Sequence, residues 1–97
     1  MDYILIGSYQ FDRVASKDDM RLDYCSTYRE VELDESILSF DTMNAEVCTT
    51  TVGAQLSALP DNTPVIIYRN DKVFTRFVKR SISRIGPSTY QIVGRSP

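Results

Sequence analysis

Histidine is absent from the 97 residues, which removes most of the catalytic repertoire at once. A Ser–His or Cys–His nucleophile pair cannot be assembled without it. Zinc lacks a donor set, because Cys25 and Cys48 are the only thiols and structural zinc takes four N or S ligands. Asp18-Asp19 and Asp34-Glu35 are adjacent carboxylates, but in loops such pairs are solvated surface rather than an acid/base couple. The four glycines are scattered singly, so no GxGxxG or GxxxxGK[ST] phosphate loop exists. The expectation is a protein that is not an enzyme, with no catalytic residue, no cofactor and no metal. The two cysteines read as buried or half-buried thiols, since unpaired cysteine behaves as a small hydrophobe; a disulfide stays open and is not needed.

The residues left with chemistry to offer are cations and tyrosines. Arg76, Arg80 and Arg84 stand four apart. On an unbulged strand they share a face with Phe74, Val78 and Ile82, and such a stripe can bind single-stranded nucleic acid. The alternative is that these arginines pair with acids of the first half or sit at a subunit interface, where arginine is favoured. Residues 1–50 carry eleven acids against four bases and residues 51–97 carry two against seven, giving −7 and +5 within the overall −2. The halves can attract each other within one fold or between neighbouring copies, or the second half can build a basic binding face. The acidic overall balance weighs against nucleic acid, whose nonspecific affinity rests on phosphate neutralisation. Protein contacts are therefore the expected use. Of the six tyrosines, most belong to the core, with about two at an interface where tyrosine is enriched. The expected interaction surface is Arg76, Arg80, Arg84, Tyr68 and Tyr90.

Strands must position these groups. Val65–Tyr68, a strand starting at Val73, and Thr89–Val93 are β-rich runs separated by Asn70-Asp71 and Gly86-Pro87-Ser88. They predict an antiparallel meander over 65–69, 73–79 and 89–94. Residues 73–85 also have near-helical spacing of Phe74, Phe77, Val78, Ile82 and Ile85. Their β-branched and aromatic content favours a strand, and thirteen residues predict a bend or bulge near Lys79-Arg80. Phe40–Val47 alternates, with Met43, Ala45 and Val47 on one face, and the run extends through Val52 to Gly53. Tyr3–Ile6 is a short buried strand. Residues 54–64 read as a loop with one helical turn, and Asn62 is the residue expected to take a left-handed conformation. Residues 12–24 are polar and give no assignment.

These elements predict a mostly β fold: a small antiparallel β-barrel or meander-containing β domain with room for one short helix. The length and the lack of a linker predict one domain over 1–97. No apolar run nears the ~20 residues that span a bilayer, and MDYILIGSYQF has no basic start of a signal peptide. The expectation is folding in a cytoplasm, without membrane partners.

The run TPVIIYRNDKVFTRFVKRSISRIGPSTYQIVGRSP (residues 63–97) resembles the N-terminal domain of tail baseplate hub proteins from phages and prophages of Gram-positive bacteria. Phe40–Val47 resembles the DTLTVEV strand of those domains, with Met43 at the leucine position, and Tyr3–Ile6 resembles their first strand. Asp61-Asn62 stands where that family commonly has glycine, and residues 8–35 match nothing in it. The resemblance implies that these residues are the N-terminal fragment of a longer protein, made in a bacterial cytoplasm and located in the virion at the tail baseplate. It implies a β-barrel-like, non-catalytic hub domain whose partners are other tail proteins and copies of itself, in a ring, usually a trimer. The isolated domain is expected to be a monomer or weak oligomer. Two other readings remain: a small nucleic-acid-binding β-barrel of OB or SH3-like type, and an SH3-like interaction module of a larger bacterial protein.

Overall fold

A computed structural model describes residues 1–15, 26–35 and 40–97. Seven strands and one short helix follow in order: β1 Tyr3–Ile6, β2 Tyr9–Arg13, β3 Ser26–Glu35, β4 Phe40–Thr49, α1 Gly53–Ser57, β5 Pro64–Arg69, β6 Lys72–Arg84 and β7 Thr89–Arg95. The strands close into a barrel in the order β1-β2-β3-β4-β7-β6-β5.

The meander forms as its turn residues dictate. Asn70 and Asp71 have φ of 54° and 62°, the pair of positive values that a tight hairpin turn matching strand twist requires. Asn and Asp tolerate that region because their short polar side chains bond locally. β5 and β6 then run antiparallel from Arg69↔Lys72 to Pro64↔Val78. β6 is one continuous strand, which excludes the helical reading of residues 73–85. Its register against β7 slips between Lys79 and Ser81, so a bulge occurs at Arg80, as the length of the run predicted. At the second turn Arg84 donates from Nε to the Gly86 carbonyl at 3.0 Å and from NH2 to the Pro87 carbonyl at 2.8 Å. Asn62 has φ 66°, the left-handed conformation expected of it.

Two elements differ from expectation. β4 stops at Thr49, three residues before Val52, because the Thr49 hydroxyl accepts the backbone N–H of Thr51 at 3.3 Å and of Val52 at 3.2 Å. Those bonds turn the chain out of the sheet into α1. Strands β2 and β3 lie where no assignment was made. Among the described residues they meet through a parallel seam with Asp12↔Thr27 and Arg13↔Tyr28 in register, so the barrel is mixed rather than wholly antiparallel.

The interior is filled from every wall. Ile4 and Ile6 of β1, Phe11 of β2, Tyr28 of β3, Met43, Ala45 and Val47 of β4, Val65 and Ile67 of β5, Phe77 of β6, and Tyr90 and Ile92 of β7 are buried. Leu56 of α1, fully buried, joins them from one end. Burial of each such side chain contributes about 1.5–3 kcal/mol. Gly94 on β7 faces inward between Met43 and Phe77: a Cβ there would lie 2.8 Å from Met43 Cγ and 3.1 Å from Phe77 Cβ. Lys79 ties the segment after α1 to β6. Its Nζ donates to the Leu59 carbonyl at 2.9 Å and meets Asp61 Oδ1 at 3.3 Å. At the opposite end the rings of Phe40 and Phe74 approach at 5.5 Å, and the Arg69 guanidinium lies 3.9 Å over Phe74. Among the described residues, no helix is long and apolar enough to cross a membrane.

Candidate functional site

The chemistry of this chain is on its outer walls. Alternation sends every second residue of each strand outward. On β5, Ile66 and Tyr68 point away from buried Val65 and Ile67. On β1, Tyr3 and Leu5 point away from buried Ile4 and Ile6. Tyr3↔Tyr68 and Leu5↔Ile66 are cross-strand neighbours, and the two tyrosine rings stack at 4.4 Å with 13° between planes. Burial, and then the neighbouring Tyr68 and Asp71, raise the Tyr3 phenol above its ordinary value, so Tyr3 is neutral at physiological pH. Arg76 is paired with Ile66 and therefore projects from the same outer face. Val73, 42% exposed and paired with Tyr68, continues it toward the β5–β6 turn.

The structure breaks up the expected surface. Arg76 is outward and exposed. Arg80 is the extra residue of the bulge, also exposed. Beyond the bulge the parity of β6 reverses, so Arg84 shares the face of its partner Tyr90, and its guanidinium is held by the turn carbonyls. The three arginines do not form one stripe, because the inserted residue moves everything after it to the other face. Tyr90 is 7% exposed and packs so closely on Gly53 that a Cβ there would collide with its hydroxyl; it belongs to the core, not the surface. Tyr68 is half-buried and outward, as expected.

A second wall went unexpected. On β3, Glu30, Glu32 and Asp34 are exposed, and Glu32↔Asn44 and Asp34↔Thr42 put β3 and β4 polar residues side by side. Glu46 extends the row and is paired with Gln91 of β7; Gln91 in turn donates to Asn44 at 3.1 Å. Arg29, Glu30, Glu32, Asn44, Glu46, Gln91 and the tip residue Ile85 line a groove of about 230 Å³. The alternation of Val31 and Leu33 with Glu30, Glu32 and Asp34 was the signal in the sequence. From β3 the strand order reaches β6 through β4 and β7 one way and through β2, β1 and β5 the other. β3 and β6 therefore stand across the barrel from each other, while the far rim of the groove, at Gln91 of β7 and Ile85 after β6, reaches round toward the Arg76 wall.

Among the described residues no side-chain ion pair joins the acidic first half to the basic second half. Among the described residues the side-chain ion pairs are Arg29–Glu30 and Lys79–Asp61, each within one half; the N-terminal ammonium meets Asp71 at 3.2 Å. Cys48 is buried at 5% exposure; Cys25, Tyr24 and Asp18-Asp19 lie outside the described residues. Asp34-Glu35 ends β3 in the open. Among the described residues no group of His, Cys, Asp and Glu is gathered to hold a metal ion.

No family model, curated protein or solved structure matches this chain.

Proposed function

We propose that this chain is a non-catalytic assembly domain, a closed barrel that serves as one wall block of a larger particle. The observation that carries the reading is the presence of two outer walls of opposite charge on which, among the described residues, Arg76, Arg80, Glu32 and Glu46 enter no internal ion pair. The resemblance of residues 40–47 and 63–97 to tail hub domains supports a phage or prophage tail baseplate as that particle. Area supports a weak isolated domain. A stable contact takes roughly 800 Å² per partner, about a seventh of the 5825 Å² surface. A ring protomer needs two different contacts, and the rest of a longer chain would strengthen them through effective concentration.

A nucleic-acid-binding barrel is the second reading, favoured by exposed Arg76 and Arg80. Two cations at a bulge are a poor track for a polyanion, whose binding scales with the phosphates neutralised. The test is composition: particles induced from the bacterium that encodes this chain are purified, and their tails are separated and digested for mass spectrometry. Peptides of this chain are expected in the tail fraction in stoichiometric amounts. Their absence from tails, or micromolar single-stranded DNA binding with a steep salt slope, would turn the assignment to the second reading.

A further inference from the structure

We infer that copies of this chain dock head to tail, the wall bearing Arg76 and Arg80 of one copy seating on the β3–β4 wall of the next. This deepens the assembly reading and rests on it. The donor wall is a sheet face that no other described element covers, with an apolar centre made of the Tyr3–Tyr68 stack, Leu5 and Ile66, exposed Val73 and Arg76 on it, and exposed Arg80 at the bulge of the same strand. The acceptor wall offers Glu32 and Glu46, beside the Arg29–Glu30 pair, around a groove of about 230 Å³, with 51% exposed Ile85 at its rim. Each wall thus supplies what the other lacks: cations against carboxylates, and aliphatic surface against aliphatic surface.

Among the described residues no side-chain hydrogen bond or ion pair engages Arg76, Arg80, Glu32 or Glu46. Docking therefore breaks no internal bond of these four. A second copy is the occupant that matches both walls at once. Because the walls are two different surfaces, centred on β3–β4 and on β5–β6, a bound copy leaves one free wall at each end, and the contact is heterologous and propagates. An isologous pair would set Arg76 against Arg76, which like-charge repulsion penalises.

The experiment is sedimentation velocity on the whole chain and two variants, R76E/R80E and E32R/E46R. All four positions are on outer faces, and far-UV circular dichroism checks that the barrel is retained. Wild type is expected to associate with rising concentration at about 25 mM salt and to dissociate toward about 0.5 M, where the screening length falls to a few ångströms. Each variant alone is expected to associate at least ~tenfold more weakly, since two exposed ion pairs are lost and replaced by repulsion. An equimolar mixture sets opposite charges against each other at both kinds of contact, native basic wall on native acidic wall and reversed wall on reversed wall, and should recover the association that each variant alone loses.

Three results overturn the inference: wild type monomeric at low salt and high concentration, variants that associate like wild type, or a mixture that stays monomeric. If the chain is found in tails while any of these holds, the docking geometry fails and the assembly reading survives. If the mixture associates but tails lack the chain, the reverse holds.

Discussion

Gly94→Ala is a change of one methyl group that tests how tightly the barrel is filled. Glycine at 94 needs no special backbone angle, so alanine would ordinarily stabilise by ~0.4–1 kcal/mol through the unfolded chain. The space argues the other way. The new Cβ would lie 2.8 Å from Met43 Cγ, 3.0 Å from its Sδ and 3.1 Å from Phe77 Cβ. Met43 is flexible, but it is 1% exposed and has little room to swing into. Phe77 Cβ is fixed to the β6 backbone and yields only if the strand moves. Overpacking of this kind costs about 1–3 kcal/mol, which outweighs the entropic gain. With a urea slope near ~1.5 kcal/mol/M, a net loss of ~2 kcal/mol lowers the midpoint by roughly 1 M. Met43→Ala alone should cost about 2–5 kcal/mol by opening a cavity. In the double variant the added methyl enters that cavity, so the two losses must sum to less than their parts by about 1–3 kcal/mol. Urea titrations followed by far-UV circular dichroism give all four corners of the cycle. An unchanged midpoint for Gly94→Ala, or strict additivity in the double variant, would refute the packing argument.

Lys79→Met should lower stability by about 1–3 kcal/mol, because it strands the Leu59 carbonyl that Nζ satisfies, which is a fall of several degrees in Tm for a domain of this size. Asp61→Asn should cost far less, since Asp61 is 82% exposed and exposed ion pairs contribute little; equal melting temperatures for the two variants would contradict this. Burial, helped by Asp2 and opposed by Arg13, raises the Tyr28 phenol above its ordinary value. A phenol raised on folding stabilises the fold fully below the unfolded pKa near ~10 and loses that contribution as pH climbs through the folded value. Stability should therefore fall above about pH 10, and Tyr28→Phe should fall less; parallel losses in wild type and variant would rule out Tyr28 as the cause.

The C-terminal half was legible because its punctuation is chemical. Asn70-Asp71 and Asn62 are residues that accept positive φ, and the structure puts them there. The length and β-branched content of residues 73–85 foretold both the strand and its bulge. The same bulge undid the expected arginine stripe, since periodicity read across it assigns Arg84 to the wrong face. Tyr90 illustrates a related blind spot: its burial depends on Gly53, 37 residues away and unrelated by any local pattern. β3 was missed because Glu30, Glu32, Asp34 and Glu35 depress strand propensity, although Val31 and Leu33 keep the correct period. The acidic wall was hidden with it, so composition revealed the charge asymmetry but not the two surfaces that express it.

Among the described residues the seam between β2 and β3 holds two pairs in register, and it makes this barrel a wrapped sheet with a latch. Every other junction holds at least four residue pairs in register. Opening the latch breaks the shortest ladder and leaves the β1–β2 hairpin hinged on β5, as a stave still nailed along one edge. Such sub-global openings cost less than unfolding the whole, and here the stave carries Phe11 out of the core. Closure also ranks late in folding, because β1 must find β5 across some sixty residues of chain and the loop entropy is spent before the contact repays it. The meander and the β4 ladder can form first, as an open curved sheet onto which the N-terminal hairpin then shuts.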